Sequence, residues 1–127
     1  MTDRRQMQQL VRELHGARLD GDLERLCALF TPDARLRIVG TSDGKAITIA
    51  ADGLEQIRTW LAMMVKTFRL AEYELLSTLI DGEHAAVRWR VQIRSRITGV
   101  IVPTELIDLV DARDGHIAAH TEFFVPG

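Results

Sequence analysis

The sequence predicts an α+β domain. Three observations carry this. Apolar residues recur at helical spacing through most of the chain up to Phe68, strict alternation takes over from Tyr73, and glycine turns punctuate the alternating half at Asp81-Gly82, Thr98-Gly99 and Asp114-Gly115. Strands joined in succession by such short turns must be antiparallel. Helices gathered ahead of that sheet pack on one of its faces. A chain of 127 residues is long enough for a real core. A single domain is expected over residues 1–127, with no linker, repeat or low-complexity run.

The first helix is read from Met7, Leu10, Val11 and Leu14, one face of a 3.6-residue period. Asp20-Gly21-Asp22 ends it: Gly21 suits the left-handed position after a helix, and Asp22 can cap the next one. That second helix is short, buries Leu23, Leu26, Cys27 and Phe30, and stops at Thr31-Pro32-Asp33. A strand follows over Ala34 to Val39, then a polar turn from Gly40 to Lys45 and a short strand holding Ile47 and Ile49. Asp52, with Glu55 three residues on, reads as a capping box opening a third helix. Ile57, Trp60, Leu61, Met64 and Phe68 make that helix amphipathic. Four strands complete the chain, about Tyr73 to Ile80, Ala85 to Arg96, Val102 to Val110 and Ile117 to Val125.

Composition excludes several classes of partner. Net charge is −2, so no electrostatic case exists for nucleic acid or an anionic membrane. Cys27 is alone, which excludes an intrachain disulfide or a cysteine metal cluster. His15, His84, His116 and His120 show no paired ligand spacing, so no metal is expected. Met1 to Gln9 is polar with no apolar run behind it, and no segment could span a bilayer. The expected location is cytoplasmic.

The segment G-D-L-E-R-L-C-A-L-F-T-P-D-A at Gly21 to Ala34 resembles the opening of the nuclear transport factor 2-like superfamily. The Asp52-Gly53 helix start with Ile57 and Trp60 fits the same pattern. The closing D-G-H-I-A-A-H-T-E-F-F is similar to the last hairpin of the SnoaL-like polyketide cyclase branch, related to ketosteroid isomerases. The resemblance covers nearly the whole chain. It implies a curved antiparallel sheet wrapped against three helices, a cystatin-like cone with an internal pocket. It also implies a homodimer through the outer sheet face, the side carrying Arg88, Arg90 and Arg94. Members include isomerases, cyclases, dehydratases and epoxide hydrolases, besides non-catalytic modules, so the fold alone does not fix the activity.

Candidate residues concentrate on the last strand. His120, Glu122 and Phe124 share one face, because residues two apart on a strand point the same way. Ile117, Ala119, Thr121, Phe123 and Val125 form the more apolar face, and alternation alone would turn Glu122 to water. The resemblance instead places its acid inside the cone, where burial suits a glutamate to proton transfer. His120 would assist. On the partner strand, a two-residue hairpin at Asp114-Gly115 pairs 113 with 116 and sets Leu109 opposite His120, Ile107 opposite Glu122 and Glu105 opposite Phe124. Glu105 would then join the cavity as a neutral acid; one extra residue would bring in Asp108 instead. Trp60, Trp89, Phe124, Tyr73 and Met64 would form substrate-binding walls. On the strand with Arg88, Arg90, Gln92 and Arg94, the side bearing Trp89 is expected inward and the arginine side outward.

Steroid isomerases of this fold carry a tyrosine where this chain has Leu14, and their general base where it has Ile38. The arginine–aspartate pair of epoxide hydrolases is also missing, since the region reads W-R-V-Q-I-R. Those two specific activities are disfavoured. The expected function is cofactor-independent acid–base catalysis of the isomerase, cyclase or dehydratase type, on a small apolar molecule bearing a carbonyl or hydroxyl. The alternative is a non-catalytic ligand-binding or assembly module of the same fold.

Overall fold

The structure is a computed structural model that describes residues 1–126. These form helices α1 (Arg4–Asp20), α2 (Leu23–Ala28) and α3 (Leu54–Thr67), and strands β1 (Phe30–Ser42), β2 (Lys45–Asp52), β3 (Phe68–Asp81), β4 (His84–Ser95), β5 (Ile101–Arg113) and β6 (His116–Pro126). The strands make one sheet in the order β2-β1-β6-β5-β4-β3. Strands joined by a short turn pair antiparallel, as such turns require. β1 and β6 instead run parallel, which makes the sheet mixed. No short turn joins that pair, so nothing local forces their direction.

α1 begins with a capping box between Asp3 and Gln6 and ends at Gly21 in the left-handed conformation. Its buried residues include the four that its periodicity marks, Met7, Leu10, Val11 and Leu14, and also His15. Asp22 caps α2 by accepting from the Arg25 backbone N–H. The start of α3 differs from expectation. Asp52 is the last residue of β2, its carboxylate is 3.0 Å from Arg37, and Gly53 takes the cap position without a side-chain bond. Pro32 falls inside β1 at a register shift between Phe30 and Arg35, a place where a strand tolerates a missing N–H. β3 starts at Phe68, five residues before the expected strand, directly where α3 ends.

The core lies between the helices and the inner face of the sheet. Val87, Trp89 and Val91 are buried on that face, whereas Arg88, Arg90 and Arg94 are exposed on the other, as alternation predicts. No helix among the described residues is long and apolar enough to cross a membrane.

Candidate active site

The site is built where side chains of α1 meet the inner face of β4, β5 and β6. Residues 113 and 116 do pair across a two-residue turn. The register then slips, because Ala118 is an extra residue opposite the Asp111–Ala112 step. This bulge turns the rest of β6 over. Ile117 and, beyond the bulge, His120 and Glu122 therefore all face inward. It also puts Val110 opposite His120, Asp108 opposite Glu122 and Leu106 opposite Phe124.

The expectation that Glu105 joins the cavity is thereby corrected. Glu105 faces outward beside Val125, half-exposed, with its carboxylate 3.0 Å from Arg88. Asp108 occupies the inner position in its place. The cause is the one-residue insertion, located in the strand and not in the loop.

Asp108, His120 and Glu122 are 1%, 3% and 3% exposed. Asp108 is surrounded by donors. Its Oδ2 accepts from His15 Nε2 and from Trp89 Nε1, both at 2.8 Å, and its Oδ1 accepts from His120 Nε2 at 3.0 Å. Burial alone would push this carboxyl up, but the hydrogen bonds from His120 and His15 outweigh it and hold Asp108 well below the usual carboxylate range. An ionised aspartate only accepts, so both imidazoles donate through Nε2–H. The Nδ1 of His15 then accepts from the Tyr73 hydroxyl at 2.7 Å. Burial, and next the Asp108 charge, push the Tyr73 phenol up, which keeps it a neutral donor. The Nδ1 of His120 is buried and has no partner among the described residues.

A second buried pair lies beside the first. Arg18 donates to Glu122 Oε1 at 2.5 Å and its guanidinium sits 5.8 Å from the centre of the Trp89 ring. Burial disfavours the Arg18 charge, and the Glu122 carboxylate more than offsets this. Arg18 and His15 are three residues apart on α1, hence neighbours on one face. His15 also packs on Trp89, with ring centres 4.5 Å apart.

Donor atoms of Asp108, His120 and Glu122 lie within 4.8 Å of one another, close enough to hold a cation. In the structure Arg18 already supplies positive charge to Glu122, and Asp108 is saturated by three N–H donors. Two carboxylates thus face one guanidinium. A second positive charge, such as an imidazolium at His120, would be countered on arrival.

Of the residues expected from sequence, His120, Glu122, Trp89 and Tyr73 meet in this cluster. Trp60, Met64 and Phe124 are half-buried and packed against the apolar core. Asp108, held open as an alternative, is central. His15 and Arg18 were not anticipated, although Val11, Leu14, His15 and Arg18 extend the α1 stripe at helical spacing. The side chains of His15, Asp108, His120 and Glu122 are all buried. Two clefts lie elsewhere: one of about 230 Å³ lined by Arg69, Arg94, Ser95, Arg96 and Gly99, and one of about 550 Å³ whose lining includes Thr78, His84 and Leu109.

Known proteins place the chain in a family. The sequence profile of the SnoaL-like domain matches residues 11–120. No curated protein matches. Among solved structures, an NTF2-like protein from Burkholderia xenovorans is similar at 16% identity, with a TM-score of 0.78, covering 98% of this chain and 92% of that one. A provisionally named SnoaL-like polyketide cyclase from Jannaschia is 20% identical, with a TM-score of 0.74 over 94% of this chain and 85% of that chain. An LEH-like epoxide hydrolase from M. tuberculosis is 16% identical, with a TM-score of 0.70 over 91% and 80%. Identities this low establish a shared α+β cone fold, and the profile match over most of the chain establishes the family: the protein belongs to the SnoaL-like domain family.

Proposed function

We propose that the protein is a cofactor-independent acid–base enzyme in which His120, oriented by Asp108, moves the proton. The observation that supports this is the unpartnered Nδ1 of His120, buried while Nε2 is fixed on an ionised carboxylate. Such an imidazole has its lone pair directed away from its anchor and is ready to accept a proton. Burying five polar and charged side chains together costs stability, and sites that perform proton transfer tolerate that cost.

The chemistry would run on an enolisable carbonyl compound. The base takes a proton from the carbon beside the carbonyl, and the C–H electron pair moves into an enolate. The Arg18 charge stabilises the enolate oxygen, and the His120 imidazolium returns the proton to the same or another carbon. Isomerisation results when the second carbon differs from the first. Glu122 is tied to Arg18 and acts through it, holding the guanidinium in place. Trp60, Met64, Tyr73 and Phe124 are the apolar side chains suited to border a small ligand.

The test is exchange of α-hydrogens for deuterium, followed by NMR, across a panel of cyclic and aromatic enolisable ketones. We expect His120→Gln, which keeps a donor for Asp108 but lacks the basic nitrogen, to lower the rate by roughly 10²–10⁴-fold. An unchanged rate in this variant would remove His120 from the mechanism. The burial of His15, Asp108, His120 and Glu122, which hydrogen-bond one another or Arg18, favours a second reading, a binding or assembly module of the same fold. In that case no panel member exchanges, and His120→Gln alters stability alone. A second copy docking on the outer sheet face belongs to either reading.

A further inference from the structure

Arg69, Arg94 and Arg96 stand together at the end of the sheet where α3 runs into β3. Arg69 and Arg94 are directly opposite across the β3–β4 pair. Like charges in that position destabilise an antiparallel pair. Arg88 and Arg90, earlier on the same strand, each meet a carboxylate, Glu105 and Glu74. Among the described residues, none of Arg69, Arg94 and Arg96 has a carboxylate within ion-pair distance. The sequence explains why. No Asp or Glu occurs from 56 to 71 or from 84 to 104, although the whole chain is net negative.

The arginines border a shaped recess. With Ser95 and Gly99 they line the cleft of about 230 Å³. Its loop is held by its own hydrogen bonds: the Arg96 N–H donates to Thr67 O at 2.8 Å and the Gly99 N–H to Ser95 O at 2.9 Å. Ser95 Oγ accepts from the N–H groups of Ile97 and Thr98 at 3.2 and 3.1 Å. The N–H groups from Ser95 to Val100 are thus all engaged, and the three guanidinium groups are the part left unneutralised.

We infer that this cleft is a binding site for a compact oxyanion, the phosphate group of a small phosphorylated molecule. Guanidinium forks match phosphate oxygens bidentately. The volume is below the roughly 300–1,000 Å³ of sites that enclose drug-sized ligands, which favours a single anionic group. The site is separate from His120 and does not depend on the acid–base reading.

Inorganic phosphate is the probe, titrated against chloride at matched ionic strength, with Tm by calorimetry and binding by ³¹P line broadening. A saturable rise in Tm and broadening are expected in phosphate alone. Arg94→Gln and Arg96→Gln should each weaken phosphate binding about tenfold, in line with loss of one charge-assisted contact. Without phosphate, Arg94→Gln should melt no lower than the parent, since it removes the repulsion with Arg69. Equal Tm in phosphate and chloride, or an undiminished response in Arg96→Gln, would overturn the assignment. So would sedimentation with anionic phospholipid vesicles while free phosphate is inert, because the surface would then be a lipid contact.

Discussion

Asp108 has more hydrogen-bond donors than any nearby acid, and three elements send them: His15 from α1, Trp89 from β4 and His120 from β6. A buried carboxylate with that environment is a stability group as well as a chemical one. Its folded-state pKa lies below its unfolded value of about 3.9. The unfolded chain therefore binds the proton more readily. The stabilisation is fully present above about pH 4 and is lost as pH falls below that point toward the folded value. Asp108→Asn should remove it at neutral pH and, because an amide NH2 cannot accept, leave at least one of the three buried N–H donors unpaired, at a cost on the order of 1–3 kcal/mol. Urea unfolding across pH 2–7 is the check. The parent should lose stability below about pH 4, and the variant should show a flatter acid limb. Equal slopes in the two proteins would show that Asp108 is not an anchored charge.

At the scale of elements, β6 joins the site to the rest of the sheet through β1 as well as β5. Gly40 of β1 lies opposite Phe124, and a Cβ there would overlap the Phe124 ring. The backbone of Gly40 is not in the left-handed region, so contact with the ring is the operative constraint. Gly40→Ala should destabilise by about 1–3 kcal/mol, the usual cost of overpacking, and Phe124→Leu should relieve much of it. A double-mutant cycle in denaturant measures this; simple additivity would mean that the two residues do not share the space. The same strand shows what could be read from sequence. The helices, the turns and the inward side of β4 follow from local periods. β6 defeats a period-two reading because its parity reverses at Ala118, so Ile117 and His120 are both inside. A bulge leaves little mark on a sequence, since alanine is at home on either face. That single residue separates Asp108 from Glu105 as the carboxylate of the site. His15 and Arg18 were hidden differently: an apolar stripe on α1 was legible, but what its polar extension meets depends on strands about a hundred residues away.

For the whole molecule, the two faces of the sheet divide the chemistry. The inner face carries the buried network, and the outer face of β5 and β6 carries Ile107, Leu109 and Phe123, which are 40%, 44% and 38% exposed. Ile107 and Phe123 are direct cross-strand neighbours, so the patch is continuous and not scattered. Beside it, Arg88 is neutralised by Glu105 and Arg90 by Glu74, which lowers the cost of covering this surface. Arg94 belongs to the unpaired group at the sheet's end, away from the apolar strip. These features suit docking of a second copy, for which a stable interface needs about 800 Å² from each partner. The proposed dimer should sediment as such in the parent, and Ile107→Glu should convert it to monomer by setting a charge at the centre of the strip. Because Ile107 is outside the core, far-UV circular dichroism should be unchanged and the fold retained. A parent that is monomeric at high concentration would exclude this dimer. A dimer indifferent to Ile107→Glu would place the interface elsewhere, on a surface that leaves the outer face of β5 and β6 open.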